Sequence, residues 1–142
     1  MSTPRDFGEI NRQTIEQFRT SGGHGELGPI HFERLVLLTT TGRRTGLRHT
    51  VPLGHVKDDA GNLILFASNM GASSDPDWCR NIAADPHVRV EITGASWDAT
   101  AWIARGAERE AAYQRWITAN PHVAGHQEQA GRQIPMVLVP PA

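Results

Sequence analysis

The sequence predicts a mainly β fold with helices, in which about six short antiparallel strands curl into a barrel with the helices outside. Apolar runs of strand length follow one another with only turn residues between them. No GxGxxG or GxxxxGK[ST] phosphate loop is present, which argues against a parallel βαβ nucleotide-binding array. With 142 residues, the chain has the length of a single domain, which we place over residues 1–142.

The composition excludes several classes of function. The formal net charge of -1 is too small for a surface that binds nucleic acid through a general basic footprint. One cysteine, Cys79, allows no internal disulfide, and no apolar run reaches the ~18 residues of a membrane-spanning helix. Acidic and basic residues interrupt the N-terminal region, so we expect no signal peptide and a soluble, cytoplasmic protein without a nucleic-acid partner.

The N-terminal region carries a helical pattern. Ile10, Thr14 and Phe18 recur at helical spacing, and Ser21-Gly22-Gly23 ends the segment, so we predict an amphipathic helix over residues 5–20. A glycine-bearing loop follows over residues 22–31. The helix is expected to lie on the domain; the alternative of a membrane-surface helix is weaker, since its polar face mixes acidic and arginine side chains.

Six segments have the texture of strands, with apolar alternation or short buried runs between turn residues. They are LVLLTTT, HTVPLGHV, NLILFAS, HVRVEI, SWDATAWIA and the proline-bracketed QIPMVLVPP. Pro52 cannot donate to a strand ladder, so its strand is expected at a sheet edge or bulge, where a ligand could approach the backbone. Asp75 before Pro76 predicts an N-cap for a short helix that ends near Asp85-Pro86, and residues 107–119 predict another helix.

The turn after LVLLTTT is rich in donors for an anion. Arg43 and Arg44 lie between Gly42 and Gly46, and Thr45 adds a hydroxyl. Glycines permit tight turns whose backbone N–H groups point outward, and arginine pairs bidentately with phosphate. The residues alone leave two alternatives open, a phosphate cradle and a solvated basic turn.

Five blocks span nearly the whole chain: IEQFRTSGG, LLTTTGRRTG running into HTVPL, LFASNMG, DPDWCRNIAADPHVRVEI and RQIPMVLVPP. In the order and spacing of these blocks the chain resembles the deazaflavin (F420)-dependent nitroreductase family. The resemblance implies a split β-barrel, similar to FMN-binding proteins, that binds coenzyme F420 in an actinobacterial cytoplasm. It also suggests loose membrane contact through the first helix.

The resemblance also assigns residues to the coenzyme. It implies that Arg43, Arg44 and Thr45 hold the phosphate and acidic side chain of F420. His49 stands where the family often has a second phosphate-binding arginine; it can donate a hydrogen bond, but its charge would depend on pH near neutrality. The strand beneath the deazaflavin ring is matched by Thr50, Val51 and Pro52, and the loop that faces the ring by Ala67, Ser68 and Asn69. Trp78 and Asn81 match a helix face that packs on the coenzyme and binds its phosphate.

The family's chemistry explains why no nucleophile with its base is visible. A deazaflavin carries the transferable hydride, so the protein positions the acceptor and supplies a hydrogen-bond donor for a developing oxyanion. Ser68 and His126 are the candidate catalytic residues.

Val123 and His126 stand where the family has tyrosines over the substrate pocket, which puts activity on bulky nitroimidazoles in doubt. His122 and His126 are four apart, as in a zinc site on one helix face, but without further ligands we expect no metal.

The leading hypothesis is therefore hydride transfer from reduced F420 to a small-molecule acceptor, namely a quinone, an enone or a nitroaromatic compound. The nearest enzyme alternative is an FMN-dependent split-barrel oxidoreductase. The alternative from another class is a non-catalytic binder that carries F420 or a small apolar ligand such as a fatty acid. The sequence leaves the oligomeric state open.

Overall fold

The computed structural model describes residues 7–142, apart from the side chains of Phe7 and Met70. Within this range the chain forms four α-helices and ten strands. In chain order these are α1 Phe7–Ser21, β1 Glu26–Leu27, β2 Ile30–His31, β3 Leu35–Thr41, β4 Arg48–Gly54, β5 Val56–Lys57, β6 Leu63–Phe66, α2 Asp77–Ala84, β7 His87–Ile92, β8 Ala95–Thr100, β9 Trp102–Ile103, α3 Gly106–Ala119, α4 Ala124–Ala130 and β10 Met136–Val139. Single turns of 3-10 helix span Phe32–Arg34, Asn69–Gly71 and Pro121–Val123.

Two four-stranded antiparallel sheets carry the fold. One has the strand order β4-β3-β7-β8, and the other has the order β5-β6-β10-β9. In the first sheet Leu38 lies opposite Val51 on one side and Val90 on the other. In the second, Val137 lies opposite Leu65 and Ile103. The prediction of antiparallel strands with flanking helices is confirmed, and each of the six longest strands overlaps one of the six predicted segments.

The core lies between the two sheets, where alternating apolar side chains from each meet. It is made by residues of β3, β6, β7 and β10 together with one face of α2: Val36, Leu38, Leu63, Leu65, Val88, Val90, Val137, Val139, Trp78, Cys79 and Ile82. The residues of β10 are buried throughout, because this strand lies inside its sheet with helices against the other face. Burial of this apolar surface is the main favourable term in folding.

Helix α1 packs as its periodicity predicts. Thr14 and Phe18 are buried, and the Phe18 ring lies 5.7 Å from that of Phe32, centroid to centroid. Residues 5 and 6 of the predicted helix lie outside the described residues. No helix in the part of the chain that the structure describes is long and apolar enough to cross a membrane.

Three expectations of local structure were wrong. SWDATAWIA forms two strands rather than one. Strand β8 pairs with β7 up to Thr100, the Ala101 N–H donates to the Pro86 carbonyl, and β9 then pairs with β10 in the other sheet. The loop over residues 22–31 contains the small β1–β2 ladder. Asp75 does not cap α2; Pro76 holds the N-cap position without a side-chain cap, and the Asp75 carboxylate accepts a hydrogen bond from Arg132 instead.

Candidate coenzyme site

A cavity of about 430 Å³ lies between the β3–β4 turn and α2. This is within the usual range for small-molecule sites. Its lining includes eight of the residues predicted to bind the coenzyme: Arg43, Arg44, Thr45, His49, Thr50, Val51, Trp78 and Asn81. The structure therefore brings together residues that are up to 38 positions apart in the sequence.

Glycine closes the turn tightly enough for its donors to converge. The Gly42 N–H donates to the Leu47 carbonyl, and the Gly46 N–H donates to the Gly42 carbonyl; Gly46 has a φ of +73°. A Cβ at Gly42 would lie 2.9 Å from the Thr45 Oγ1 and 3.0 Å from the His49 Nε2. A side chain at Gly42 would thus fill the space in which Thr45 and His49 approach each other, and the turn forms a cradle only with glycine there.

Asn81 connects α2 to this turn. Its Oδ1 accepts hydrogen bonds from the backbone N–H of Arg43 at 3.2 Å and from the Arg43 Nη1 at 2.9 Å. Its Nδ2 donates to the Thr40 hydroxyl at 3.1 Å. The donors around Oδ1 fix the orientation of the amide, and one Nδ2 hydrogen remains for a ligand.

The charges in the cavity favour an anion. Arg43 is paired with Asp77 at 3.2 Å, and the Asp77 side chain is 85 % exposed. The side chains of Arg44 and His49 line the cavity without a hydrogen bond or ion pair to any residue in the described range. Two arginines against one aspartate leave a surplus of positive charge, and the free donors can satisfy a phosphate or carboxylate.

Three lining residues were missed by the sequence analysis, namely Thr40, Gly42 as a wall, and Asp77. Thr40 lies in a run of three threonines, and strand alternation points its side chain away from the face of Thr39 and Thr41. Asp77 lies 34 positions after Arg43 in the sequence, and nothing in the DPDW block indicates that its carboxylate faces the arginine turn.

The remaining predicted coenzyme residues lie outside this cavity. Pro52 is half-buried on β4, which is an edge strand as its proline predicts. Ala67 is buried in the core, and both its N–H and its carbonyl bond to protein partners, Pro135 and Arg132. Asn69 is exposed and has a φ of +50°, the one non-glycine residue with positive φ among those described. Their coenzyme contacts stay predictions.

The predicted catalytic and pocket residues are also separate from the cavity lining. The half-buried Ser68 begins the Asn69–Gly71 turn, and its hydroxyl makes no hydrogen bond to a described residue. Val123 packs against a second apolar cluster, which contains Trp116 and Met136. His126, on α4, has a buried Nδ1 with no partner in the described part of the chain. The roles of these residues stay predictions.

Two other expectations concern reactive groups. His122 lies in the 3-10 turn Pro121–Val123 and His126 in α4, so the two are not on one helix, and residues 7–142 hold no group of three or more side chains suited to a metal. Burial, reinforced by the Asp75 charge, raises the pKa of the Cys79 thiol to about 12. Cys79 is thus an inert core residue rather than a nucleophile.

A larger cavity of about 810 Å³ lies between α3 and the β5–β6 turn. Its walls are mostly apolar, and its two cations are Lys57 and Arg115. Arg115 already donates to the Lys57 carbonyl and pairs with Asp59. It is therefore a poorer place for a phosphate than the smaller cavity, despite its size.

Comparison with known proteins decides among the candidate functions. The sequence profile of the F420H(2)-dependent quinone reductase family matches residues 10–141. The chain belongs to this family. It is therefore an oxidoreductase whose cofactor is F420, and the reaction of the family is the reduction of a quinone by reduced F420.

Individual relatives agree with this assignment. The F420H(2)-dependent quinone reductase Rv1261c of Mycobacterium tuberculosis is 29 % identical over 108 residues, which cover 73 % of this chain and 71 % of that protein. A solved F420-H2 dependent reductase, FDR-A, is 34 % identical, with a TM-score of 0.68 over 75 % of this chain and 93 % of its own. A second solved structure, described as a domain-swapped dimer, is 31 % identical, with a TM-score of 0.71 over 96 % of this chain and 99 % of its own.

Proposed function

We propose that this chain transfers a hydride from reduced F420 to a quinone, and that the cavity between the β3–β4 turn and α2 holds the phosphate end of the coenzyme. The observation that carries this proposal is the convergence of Arg43, Arg44, Thr45 and His49 on one cavity, with Arg44 and His49 unpaired in the described range. Guanidinium and hydroxyl donors of the glycine-closed turn, together with the imidazole of His49 at the start of β4, suit the oxygen atoms of a phosphate.

Each wall of the cavity has a distinct part in this proposal. Arg43, fixed by Asn81, and the free Arg44 neutralise the phosphate, while the Thr45 hydroxyl and His49 donate further hydrogen bonds. Thr50 and Val51 continue from the turn along β4 and support the ring system, with Trp78 opposite on α2. Pro52 leaves the next stretch of the edge strand without a donor, so an apolar ring can lie against it.

F420 supplies the hydride from a carbon of its reduced ring. The protein's part is to hold the acceptor in line and to donate a hydrogen bond to the oxygen that becomes negative. We assign this donation to the Ser68 hydroxyl, which has no partner among the described residues. His126 on α4, with Val123 before it, is assigned to the acceptor side. Enones and nitroaromatic compounds, which also gain electron density on oxygen, are proposed as secondary acceptors.

The test is a fluorescence titration of the purified protein with F420 and, in parallel, with FMN, followed by mixing the reduced complex with menadione. We expect selective binding of F420 and oxidation of the reduced coenzyme only when the quinone is added. Tight F420 binding without oxidation would indicate a carrier instead. Preference for FMN would contradict the assignment of the β3–β4 turn.

We propose a cytoplasmic location with at most loose membrane contact through α1. The buried Phe18 and Thr14 face the domain, and the exposed side keeps Glu16 and Arg19, so little apolar surface is left for a lipid. Co-sedimentation with anionic phospholipid vesicles tests this; quantitative recovery of the protein in the vesicle pellet at physiological ionic strength would contradict it.

A further inference from the structure

The Arg132 guanidinium makes a dense set of contacts away from the coenzyme cavity. Its Nη1 donates to the Asp75 Oδ1 at 2.5 Å. The other contacts are to backbone carbonyls: Nε to Ala72 at 3.2 Å, and Nη2 to Ala67 at 3.3 Å, Ser68 at 3.3 Å and Ser74 at 2.9 Å. The Arg132 side chain is only 17 % exposed, so solvent screens these bonds less than those of a surface pair.

These five acceptors belong to the two ends of one loop. Ala67 and Ser68 directly follow β6, whereas Ala72, Ser74 and Asp75 lead into α2. The Arg132 guanidinium therefore holds the two ends of the loop 67–75 together by hydrogen bonds. Without the guanidinium, the carboxylate and the carbonyls would lose a shared partner at the place where the chain passes from the sheet to the helix.

The start of helix α2 has no side-chain cap of its own. Pro76 occupies its N-cap position and provides no side-chain hydrogen bond to the first turn. A capping side chain usually fixes a helix start. Here the Asp75–Arg132 pair lies one residue before the N-cap, and the helix that follows presents Trp78 and Asn81 to the coenzyme cavity.

Arg132 is itself held by a second layer of contacts. Its carbonyl accepts a hydrogen bond from the Gln127 Nε2. The Gln127 Oε1 accepts from the Ile134 N–H at 3.0 Å and from the Arg109 Nη2 at 2.9 Å, and Arg109 is buried. Gly131, with a φ of +64°, ends α4 in a left-handed conformation that turns the chain toward the loop. The guanidinium is thus preorganised before any ligand binds.

We infer that Arg132 is a positioning residue for coenzyme binding, which holds residues 67–75 so that Trp78 and Asn81 on α2 meet Arg43 across the cavity. The inference rests on the proposed function, because it assumes that this cavity takes F420. Arg132 does not line the cavity itself. It acts through Asp75 and the loop carbonyls, so its effect reaches the phosphate cavity by way of α2.

The test compares F420 affinity by fluorescence titration for the wild type, Arg132→Gln, Asp75→Asn and the matched control Arg19→Gln. Arg19 also donates two hydrogen bonds to one carboxylate, that of Glu91; the pair joins α1 to β7, and neither residue lines the cavity. We expect Arg132→Gln to weaken F420 binding about tenfold. Asp75→Asn, which keeps the side-chain shape, should weaken it less, and Arg19→Gln should leave Kd unchanged.

A double-mutant cycle separates positioning from general destabilisation. Asn81→Ala and Arg132→Gln act through the same helix, so their combined effect on Kd should be clearly smaller than the product of the single effects. Asn81→Ala combined with Arg19→Gln should show the Asn81→Ala effect alone. All titrations are done well below the thermal transition of each variant, which circular dichroism gives.

The outcomes distinguish the inference from the function beneath it. If the wild type binds no F420, the cavity assignment fails and the inference fails with it. If the wild type binds F420 and both Arg132→Gln and Asp75→Asn bind it equally well, only the inference is overturned, even if both variants melt earlier. If Arg132→Gln does not fold, unchanged affinity in Asp75→Asn overturns the inference by itself.

Discussion

The Oδ1 atom of Asn81 accepts two hydrogen bonds from Arg43, one from its backbone N–H and one from its guanidinium. Asn81 is 5 % exposed, although asparagine side chains are mostly exposed in proteins. Its burial is tolerated because the amide also donates to Thr40, which satisfies both of its polar ends. One α2 side chain therefore fixes both the path and the side chain of the arginine turn.

Arg44→Ala separates coenzyme binding from folding. Arg44 is exposed and unpaired in the described range, so its loss should weaken F420 binding about tenfold while the free energy of unfolding changes by less than about 0.5 kcal/mol. Arg43→Ala should weaken F420 binding and also lower the free energy of unfolding, by about 1–2 kcal/mol, because it removes the guanidinium hydrogen bonds to Asn81 and Asp77.

Fluorescence titration and urea unfolding measure the two effects of these arginine variants. Arg105→Ala is the matched control, since Arg105 is exposed before α3 and has no side-chain partner in the described range. Wild-type affinity for F420 in the double variant Arg43→Ala, Arg44→Ala would contradict the proposal that the β3–β4 turn binds the phosphate of the coenzyme.

Asp77→Asn should strengthen coenzyme binding. The Asp77 carboxylate pairs with Arg43 in the cavity and would lie near the phosphate. Because this side chain is 85 % exposed, screening limits the gain to about two- to fivefold at low salt, and the gain should shrink as ionic strength rises. The control is Asp59→Asn, whose carboxylate pairs with Arg115 beside α3. Weaker binding in Asp77→Asn would mean that Asp77 contacts the coenzyme favourably.

His126→Phe should change acceptor preference without changing coenzyme affinity. The His126 Nδ1 is buried without a partner in the described range, and the residue does not line the phosphate cavity. The expected result is an altered ratio of kcat/KM between menadione and a cyclic enone, with Kd for F420 within about twofold of the wild type. A large loss of F420 binding would show that α4 contacts the coenzyme directly.

His55 should make the fold less stable in acid. Burial, reinforced by the Lys57 charge, lowers the pKa of His55 below its ordinary value, and its Nδ1 has no partner among the described residues. The unfolded chain then takes up a proton near pH 6.5, before the folded protein does. This stabilisation is present above about pH 6.5 and is lost as the pH falls through the folded-state pKa.

Urea unfolding at several pH values between 5 and 7.5 measures this contribution. His55→Gln should flatten the decline in stability toward acid, whereas His24→Gln, at an exposed position, should leave the slope unchanged. Equal slopes in the wild type and His55→Gln would show that His55 does not contribute.

Cys79 should resist thiol reagents while the protein is folded. It is 2 % exposed, and burial raises the pKa of its thiol to about 12, so little thiolate forms at pH 8. DTNB should label less than about a tenth of the protein within the time that fully labels it in 6 M guanidinium chloride. Rapid labelling of the native protein would indicate that α2 opens readily.

The strands were predictable where the apolar pattern is local. HVRVEI alternates cleanly, and β7 spans those six residues. The sheet change at Ala101 was not predictable, since Trp97, Ala99, Ala101 and Ile103 keep the same alternation through it while their hydrogen-bonded partners change from β7 to β10. Periodicity reports which side is buried, but not which strand lies beside it. The single-domain organisation stays a prediction, which the core shared by both sheets supports.

In the site, too, the features that depend on neighbouring residues were predictable, and the contacts between distant residues were not. The turn was predictable because its glycines and arginines are adjacent in sequence. The burial of Asn81 and the pairing of Asp77 with Arg43 were not, since they depend on how α2 packs on β3. The contact between Arg132 and Asp75 joins residues 57 positions apart, and a lone arginine before a strand gives no sign of such a partner.

The most direct measurement is a crystal structure of the protein with F420 bound. The account predicts the phosphate within hydrogen-bonding distance of Arg43, Arg44 and Thr45, and the deazaflavin ring against Thr50, Val51 and Pro52. Coenzyme in the larger cavity between α3 and the β5–β6 turn, with the cavity between the β3–β4 turn and α2 left empty, would contradict it.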